Sequence, residues 1–254
     1  MTEASYDLMP GIRRSDLWNI KKSPLHFKWE IEHPVKTPAM LFGSAAHKLI
    51  LEADTFLDQY AVSPVVDRRT KEGKATWAEF VQKCEENHLD VISPDDYLKI
   101  KDMSAAIDAH PYARQLLTGE HEKLFTWVDT ITGVKCKARL DCITEYKGRK
   151  YIVDYKTTES CEDGAFERSC RKYGYKFQAG MYREAVLQNT FEDYGFAFVA
   201  QEKAEPYAVR VYFCSDEFVN EGYDDFRYLI GLYHDCQMND YWPGYDDSTL
   251  LGEE

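Results

Sequence analysis

Two aspartates and a lysine stand out in the stretch CKARLDCITEYKGRKYIVDYKTTE, which begins at Cys136. Asp and Lys are depleted in β-strands, yet Asp141, Asp154 and Lys156 interrupt segments rich in Ile, Val and Tyr. Two carboxylates a few ångströms apart repel each other and hold a hard divalent cation such as Mg²⁺ through their oxygens. A lysine beside them can orient water and stabilise charge that builds on a phosphate. Together, these residue types suit metal-assisted hydrolysis of a phosphodiester.

A hairpin would bring the three charges together. A four-residue turn that contains a glycine pairs Tyr146 with Tyr151, and glycine favours a primed turn type. In that register Asp141 lies directly opposite Lys156 and diagonal to Asp154, and residues two apart on a strand share a face. The hairpin alone leaves two interpretations open: a compact charged site, or a cross-strand salt bridge on a solvated sheet face.

Hydrophobic periodicity divides the chain into a helical first part and a mixed α/β second part. The order of elements predicts an α/β fold in which helices cover both faces of a central mixed sheet. We expect one domain, with residues 1–120 mainly helical, 121–240 forming the α/β core and 241–254 a loose acidic tail. The predicted helices span Ser15–Ser23, Ala39–Ala53, Lys74–Asn87, Pro94–Ala109, Glu162–Arg171, Tyr175–Gln188 and Ser215–Met238, and the predicted strands span Lys123–Asp129, Lys135–Tyr146, Tyr151–Thr157, Gly195–Ala200 and Tyr207–Phe213.

The composition excludes several classes of protein. With 254 residues, 44% hydrophobic and 14% aromatic, the chain can bury a sizeable core and is not disordered. No apolar run approaches the roughly 18 residues of a membrane helix, and the N-terminus lacks an export signal, which predicts a cytoplasmic location. Seven cysteines without a C-x-x-C pair favour free thiols over disulfides or a zinc ribbon. An Fe–S cluster held by four of them is the alternative.

The net charge of -13 argues against a surface that is basic all over, which is the usual mark of a DNA-coating protein. Lys and Arg nevertheless cluster locally, for example within residues 68–74 and 168–176. Such clusters are ordinary solvated faces unless they lie beside a site. The charge balance therefore allows a confined basic groove.

The pattern Asp141…Asp154-Tyr155-Lys156 resembles the signature of the PD-(D/E)XK nuclease superfamily, an acid on one strand and acid-x-lysine on the next. Leu140 replaces the usual proline, and Asp154 stands where nearer relatives more often have Glu. Neither change removes a required type of ligand. The resemblance implies a restriction-endonuclease-like core, a central mixed β-sheet flanked by helices, with an N-terminal helical region.

Two helical segments extend the resemblance to the exodeoxyribonuclease VIII-like and λ-exonuclease-like branch. GSAAHKLILE is similar to a helix motif whose histidine, here His47, completes the metal site. FQAGMYREA is similar to a Q-x-x-x-Y element, and its spacing puts Gln178 and Tyr182 on one helical face, which the family uses at the DNA or the active site. On the residues alone, a packed histidine and an ordinary helix with a buried tyrosine are the alternatives.

Two further segments resemble the same branch. SDLWNIKKSPLHFKW is similar to its N-terminal opening, and HEKLFTWVDTITGVKCKARLD to its strand pair that ends in Arg-x-Asp. This comparison nominates Glu122 as a further acid near the metal and Arg139 as a phosphate or structural contact. Glu122 has an alternative interpretation as a simple strand-end carboxylate.

The resemblance implies Mg²⁺ or Mn²⁺ held by His47, Asp141, Asp154 and the backbone carbonyl of Tyr155. Imidazole favours Mn²⁺ over Mg²⁺ because it suits softer ions. Lys156 would position and activate the attacking water.

The implied function is 5′→3′ exonuclease action on linear duplex DNA, in phage-type recombination or repair. The implied partners are DNA ends, a single-strand annealing protein and further copies of the chain in a ring, in the cytoplasm of a bacterium or of a phage-infected bacterial host. Two alternatives stay open: a nuclease of the same fold acting on single-stranded ends or flaps, and a non-catalytic DNA-binding assembly module.

Overall fold

The structure, a computed structural model, describes Tyr6 and residues 8–245. Its helices are α1 (Arg14–Ile20), α2 (Pro24–Glu32), α3 (Pro38–Leu51), α4 (Lys71–Glu86), α5 (Pro94–Ala109), α6 (Pro111–Leu116), α7 (Asp163–Tyr173), α8 (Tyr175–Thr190) and α9 (Asp216–Asn239). Its strands are β1 (Tyr60–Val62), β2 (Asp90–Ile92), β3 (Glu120–Val128), β4 (Lys135–Tyr146), β5 (Arg149–Thr158), β6 (Gly195–Glu202) and β7 (Val209–Phe213).

The central sheet has five strands in the order β3-β4-β5-β6-β7. Strands β5 and β6 run parallel, and the other neighbours run antiparallel. The predicted α/β fold with a mixed sheet is therefore confirmed. The short strands β1 and β2 pair separately in parallel, and their three-residue lengths gave no periodic signal. Among the described residues, no helix is both long enough and apolar enough to cross a bilayer.

Hydrophobic side chains pack against both faces of the sheet. One cluster joins Phe177 of α8, Phe226 of α9 and Phe198 of β6. The other cluster joins Ala45 of α3 to Val199 of β6. Because β6 contributes to both clusters, its sequence GFAFVAQE is apolar almost throughout instead of alternating.

The predicted element boundaries differ from the structure mainly near the N-terminus and in the tail. The sequence reads Ser23-Pro24 as the end of one helix, but Ser23 also caps α2 by accepting a hydrogen bond from the His26 N–H. In the predicted loose tail, Trp242 stacks on Phe27 with ring centroids 5.3 Å apart, so this part is packed. Residues 246–254 of that tail lie outside the described residues.

The hairpin between β4 and β5 differs from the predicted register. Both central residues of its turn, Lys147 (φ 51°) and Gly148 (φ 78°), are left-handed, which is typical of a two-residue primed turn. Tyr146 therefore pairs with Arg149. The predicted partner, Tyr151, is wrong because the turn has two residues instead of four.

This register error moves the charged residues along the strand but not to another face. The pairing of β4 with β5 ends at Cys142 and Val153, and the same register continued by one position would set Asp141 opposite Asp154 and diagonal to Lys156. The shift amounts to two residues on one strand, and side chains alternate with a period of two. The expected convergence of the three charges is therefore kept.

Helices α8 and α9 cross at a contact that only glycine allows. A Cβ atom added to Gly222 would lie 1.9 Å from the carbonyl oxygen of Lys176, and one added to Gly180 would lie 2.1 Å from the amide nitrogen of Tyr223. Both clashes involve backbone atoms, which cannot move without shifting a helix. This crossing fixes α8, which carries two of the predicted site residues.

We predict that Gly222→Ala destabilises the fold by at least about 2 kcal/mol, because overpacking at a rigid contact typically costs about 1–3 kcal/mol. Gly231→Ala, in the same helix, is the matched control, since its Cβ would meet nothing within 4 Å. The control should gain about 0.5–1 kcal/mol from helix propensity. Urea unfolding followed by circular dichroism measures both, and equal effects of the two variants would contradict the close crossing.

Candidate active site

All nine residues nominated from the sequence line one open pocket of about 620 Å³. They come from the helical part of the chain as well as from the sheet, and the pocket brings them together. They are His47, Glu122, Arg139, Asp141, Asp154, Tyr155, Lys156, Gln178 and Tyr182.

A local break in the sheet positions two of the carboxylates. Strands β3 and β4 pair on either side of the break, at His121–Cys142 and at Lys123–Leu140, but the intervening Glu122 is not paired. Glu122 has a left-handed backbone (φ 51°), which costs a non-glycine residue roughly 1–2 kcal/mol. At this break the side chains of Glu122 and Asp141 turn towards α3 instead of following strand alternation.

His47 of α3 bridges the two carboxylates at the break. Its Nε2 atom lies 2.8 Å from Oδ2 of Asp141, and its Nδ1 atom lies 3.3 Å from Oε1 of Glu122. One ligand-type atom from each of these residues lies within 4.8 Å of the others. Two carboxylates and one imidazole thus form a compact donor set, which we call the three-donor cluster.

Electrostatics in the cluster favour a charged imidazole. Burial lowers the pKa of His47, but the carboxylates of Asp141 and Glu122 raise it by more, so its pKa lies above the ordinary value. Burial raises the pKa of Asp141, but His47 and Lys156 lower it overall. The protonated ring therefore offsets the repulsion between the two carboxylates.

Asp154 lies behind the three-donor cluster and is only 1% exposed. Its Oδ2 lies 2.7 Å from Nζ of Lys156 but accepts no aligned hydrogen bond, and its Oδ1 accepts one from Nε2 of Gln178. Burial and the charge of Asp141 raise the pKa of Asp154 to about 6, despite the opposing effect of Lys156. Burial lowers the pKa of Lys156, but the two aspartates raise it above its ordinary value, so the amine stays protonated.

Arg139 and Tyr155 support the cluster. Arg139 Nε lies 2.7 Å from Oε2 of Glu122, which is the structural one of its two predicted roles. The backbone N–H of Tyr155 donates to Oδ2 of Asp141 at 2.9 Å. The Tyr155 hydroxyl donates to Gln201, whose amide in turn donates to a carbonyl of α5. This chain of bonds ties the site to α5, which packs in the same helix layer as α3.

The helix α8 contributes the two other nominated residues. The Oε1 atom of Gln178 is buried and has no hydrogen-bond partner among the described residues. Burial raises the pKa of Tyr182 well above its ordinary value, so its hydroxyl keeps its proton. Both side chains face the carboxylate pocket, as their i, i+4 spacing predicts.

Arg14 and Tyr175 are among the pocket residues that the sequence analysis did not nominate, and both lie close to the charge of Lys156. The amine of Lys156 lies 4.9 Å from the centre of the Tyr175 ring. The available signal for Arg14 was the Arg-Arg doublet at the start of the first predicted helix. No pattern in the sequence singles out Tyr175, since aromatic residues are frequent throughout the chain.

A divalent cation fits this donor set. Carboxylate oxygens suit Mg²⁺ and Mn²⁺, and imidazole adds a preference for the softer ion. The unpartnered Oε1 of Gln178 adds an acceptor close by. All seven cysteines are free, and none joins the three-donor cluster. Burial raises the pKa of Cys136 and Cys142 to about 12, so these thiols stay neutral.

Comparisons with known proteins agree with this geometry. A family model described as a PDDEXK-like domain of unknown function (DUF3799) matches residues 14–249. A crystal structure from Eubacterium rectale, described as that of a "putative exonuclease", has a TM-score of 0.62 at 16% identity and covers 98% of this chain and 96% of that chain. At that identity the likeness shows the fold alone.

A second solved structure, that of SSO0001, covers 85% of this chain and 84% of its own at 12% identity. Its TM-score of 0.30 is too low to carry an argument. No curated protein matches the chain.

We predict that His47 titrates above its ordinary pKa of about 6.5 in protein kept free of metal by EDTA. Asp141→Asn should lower the pKa of His47, because it removes the nearest carboxylate. Glu120→Gln, at an exposed position of β3, is the control and should leave the pKa of His47 unchanged. NMR titration of the imidazole measures this pKa, and the signal that His47→Gln lacks identifies His47.

The raised pKa of His47 also affects the stability of the folded protein. Because folding raises the pKa of His47, this group contributes stability fully below pH about 6.5 and loses it as pH rises through the folded-state pKa. A wild-type titration at or below about 6.5 would contradict the imidazolium bridge.

Proposed function

The chain belongs to the PDDEXK-like family whose model it matches, and from this premise we propose that it is a divalent-metal-dependent deoxyribonuclease. Its substrate is linear double-stranded DNA, which it degrades as an exonuclease in the 5′→3′ direction. The observation that carries the proposal is the three-donor cluster of His47, Glu122 and Asp141 beside the Asp154–Lys156 ion pair. This combination joins metal ligands to a fixed cation in one pocket.

The residues that would hold the metal ion, Mg²⁺ or Mn²⁺, are His47, Glu122 and Asp141, with Asp154 and the backbone carbonyl of Tyr155 as further ligands. When bound, the ion supplies a Lewis acid that makes water a competent nucleophile near neutral pH.

Lys156 orients the attacking water and stabilises charge that builds on the phosphate. Its raised pKa supports this role, because a protonated amine presents a full positive charge to the substrate. Gln178 holds the Asp154 carboxylate from the side opposite Lys156 and thereby keeps the ion pair oriented. Tyr182 contacts the strand, and Arg139 keeps the Glu122 carboxylate aimed at the cation.

The biological setting follows from the resemblance in the sequence. We propose a role in phage-type recombination or repair, beside a single-strand annealing protein, in the bacterial cytoplasm. A homo-oligomeric ring would let an acidic exterior, with a chain net charge of -13, coexist with a basic channel around the DNA. Gel filtration with light scattering tests the ring directly.

We predict metal-dependent loss of a linear duplex labelled separately at each 5′ and 3′ end, and no loss in EDTA. Lys156→Ala should lower the rate by about 100- to 1,000-fold, because it removes a preorganised charge from the transition state. Lys150→Ala, an exposed lysine at the other end of β5, is the matched control and should keep wild-type activity. The label released first gives the polarity.

A covalently closed circle distinguishes the alternatives. If the circle is spared, the enzyme requires ends. Cleavage of single strands or flaps with an intact duplex would favour the same fold with another substrate. An inert wild-type protein that still binds DNA would favour the non-catalytic assembly module.

We further predict that Asp141→Asn weakens Mn²⁺ binding at least tenfold, because it removes a charged ligand of the three-donor cluster. Glu145→Gln, an exposed acid near the end of β4, is the control and should bind Mn²⁺ like the wild type. Isothermal titration calorimetry measures both. Equal affinities of the two variants would place the cation elsewhere.

A further inference from the structure

Arg14 lies in the first turn of α1 and lines the active-site pocket. Trp18, one turn later, stacks on Phe177 of α8 with ring centroids 5.6 Å apart. A Cβ atom at Gly174, between α7 and α8, would lie 2.5 Å from the Trp18 ring. Because α1 cannot shift without unpacking this contact, Arg14 is held in place at the pocket.

The guanidinium of Arg14 has few hydrogen-bond partners among the described residues. One of its terminal nitrogens donates to the carbonyl oxygen of Tyr173. Its Nε atom is buried without a hydrogen-bond partner among the described residues. Within the described part of the chain Arg14 forms no ion pair with a carboxylate, and its guanidinium carbon lies 5.8 Å from the centre of the Trp18 ring. The adjacent Arg13, in contrast, is paired with Asp16. Since a guanidinium has five N–H donors, and buried donors without partners are costly, Arg14 has donors available for a ligand.

The surroundings of Arg14 favour an anion as that ligand. Asp154, Tyr175 and Tyr182 are close enough to act on its charge, and Arg14 in turn acts on the charge of Lys156. The two cations therefore lie near one carboxylate, that of Asp154, which Lys156 already neutralises. Arginine stays protonated in proteins, so a positive charge remains on this side of the pocket.

We propose that Arg14 binds a non-bridging oxygen of a DNA phosphate next to Lys156. This inference rests on the proposed function, because it assigns a substrate contact in the same pocket. The planar fork of arginine matches phosphate oxygens and can bind two of them at once. A purely structural tether between α1 and Tyr173 would use one donor and would require no positive charge.

A chemical double-mutant cycle separates the two roles. Duplexes carry a single methylphosphonate, which removes the negative charge of one phosphate, at successive positions from one end. Their binding is measured by fluorescence anisotropy in EDTA for wild type, Arg14→Met, Arg14→Lys and the exposed control Arg149→Met. A duplex with a terminal hydroxyl instead of a phosphate tests whether the ligand is the end phosphate or an internal one. Thermal unfolding checks that each variant is folded.

We expect Arg14→Met to weaken binding of the unmodified duplex by roughly tenfold to a hundredfold, the effect of one charge-assisted hydrogen bond. Arg14→Lys should recover part of this loss, and Arg149→Met should show none. At one position, or at the terminal phosphate, the DNA modification should weaken wild-type binding but should not weaken Arg14→Met further. If Arg14→Met does not fold, Arg14→Lys replaces it. The DNA modification should then weaken binding by Arg14→Lys less than it weakens binding by the wild type.

Equal losses in wild type and Arg14→Met at every position would overturn the assignment, as would wild-type affinity of Arg14→Met. If either result is found in a protein that still cleaves DNA, the Arg14 contact is rejected and the nuclease proposal is unaffected. If the effects of Arg14→Met and of the DNA modification are coupled in a protein that never cleaves DNA, the Arg14 contact is supported and the nuclease proposal is rejected.

Discussion

The close approach of three carboxylates is the constraint on which the pocket depends. Carboxylates that are brought together away from water repel one another and favour their neutral forms, unless cations lie beside them. The protein supplies one cation for each carboxylate. The pairs are Glu122 with Arg139, Asp141 with His47, and Asp154 with Lys156. Because two of these pairs join different elements, β3 with β4 and β4 with α3, the charge balance of the site depends on how these elements pack.

The two layers of helices solve this problem from opposite sides of the sheet. Helix α3 packs in the same cluster as Val199 and brings His47 to the break between β3 and β4. Helix α8 packs in the cluster of Phe198 and brings Gln178 to Asp154. The glycine crossing of α8 with α9 and the bond from Tyr155 to Gln201 limit how far either layer can slide. The residues of the pocket therefore cannot move apart unless these packed helices shift.

Much of this arrangement could be predicted because it depends on local patterns. The limits of β4 and of the helix Pro94–Ala109 match the prediction, since alternating and helical periods are strong in both. The register of the hairpin could not be fixed, because Lys147 adopts a left-handed conformation that nothing in its residue type requires. The proposed role of Arg14 depends on the contact of Trp18 in α1 with Phe177 in α8, about 160 residues apart in the chain, and no local pattern encodes such a contact.

The features that local rules failed to predict are also the energetically costly ones. Glu122 adopts a strained backbone, Asp154 is buried with a raised pKa, and Arg14 has a buried nitrogen without a partner. Well-packed apolar residues often replace buried ion pairs without loss of stability, so stability alone does not explain why three charged pairs share one pocket. Strain and uncompensated polarity persist where the surrounding structure forces them, and such sites cluster where proteins bind and react. The costs coincide in one pocket with the three-donor cluster and the fixed lysine, which is the distribution expected if a substrate and a metal ion complete the charge balance.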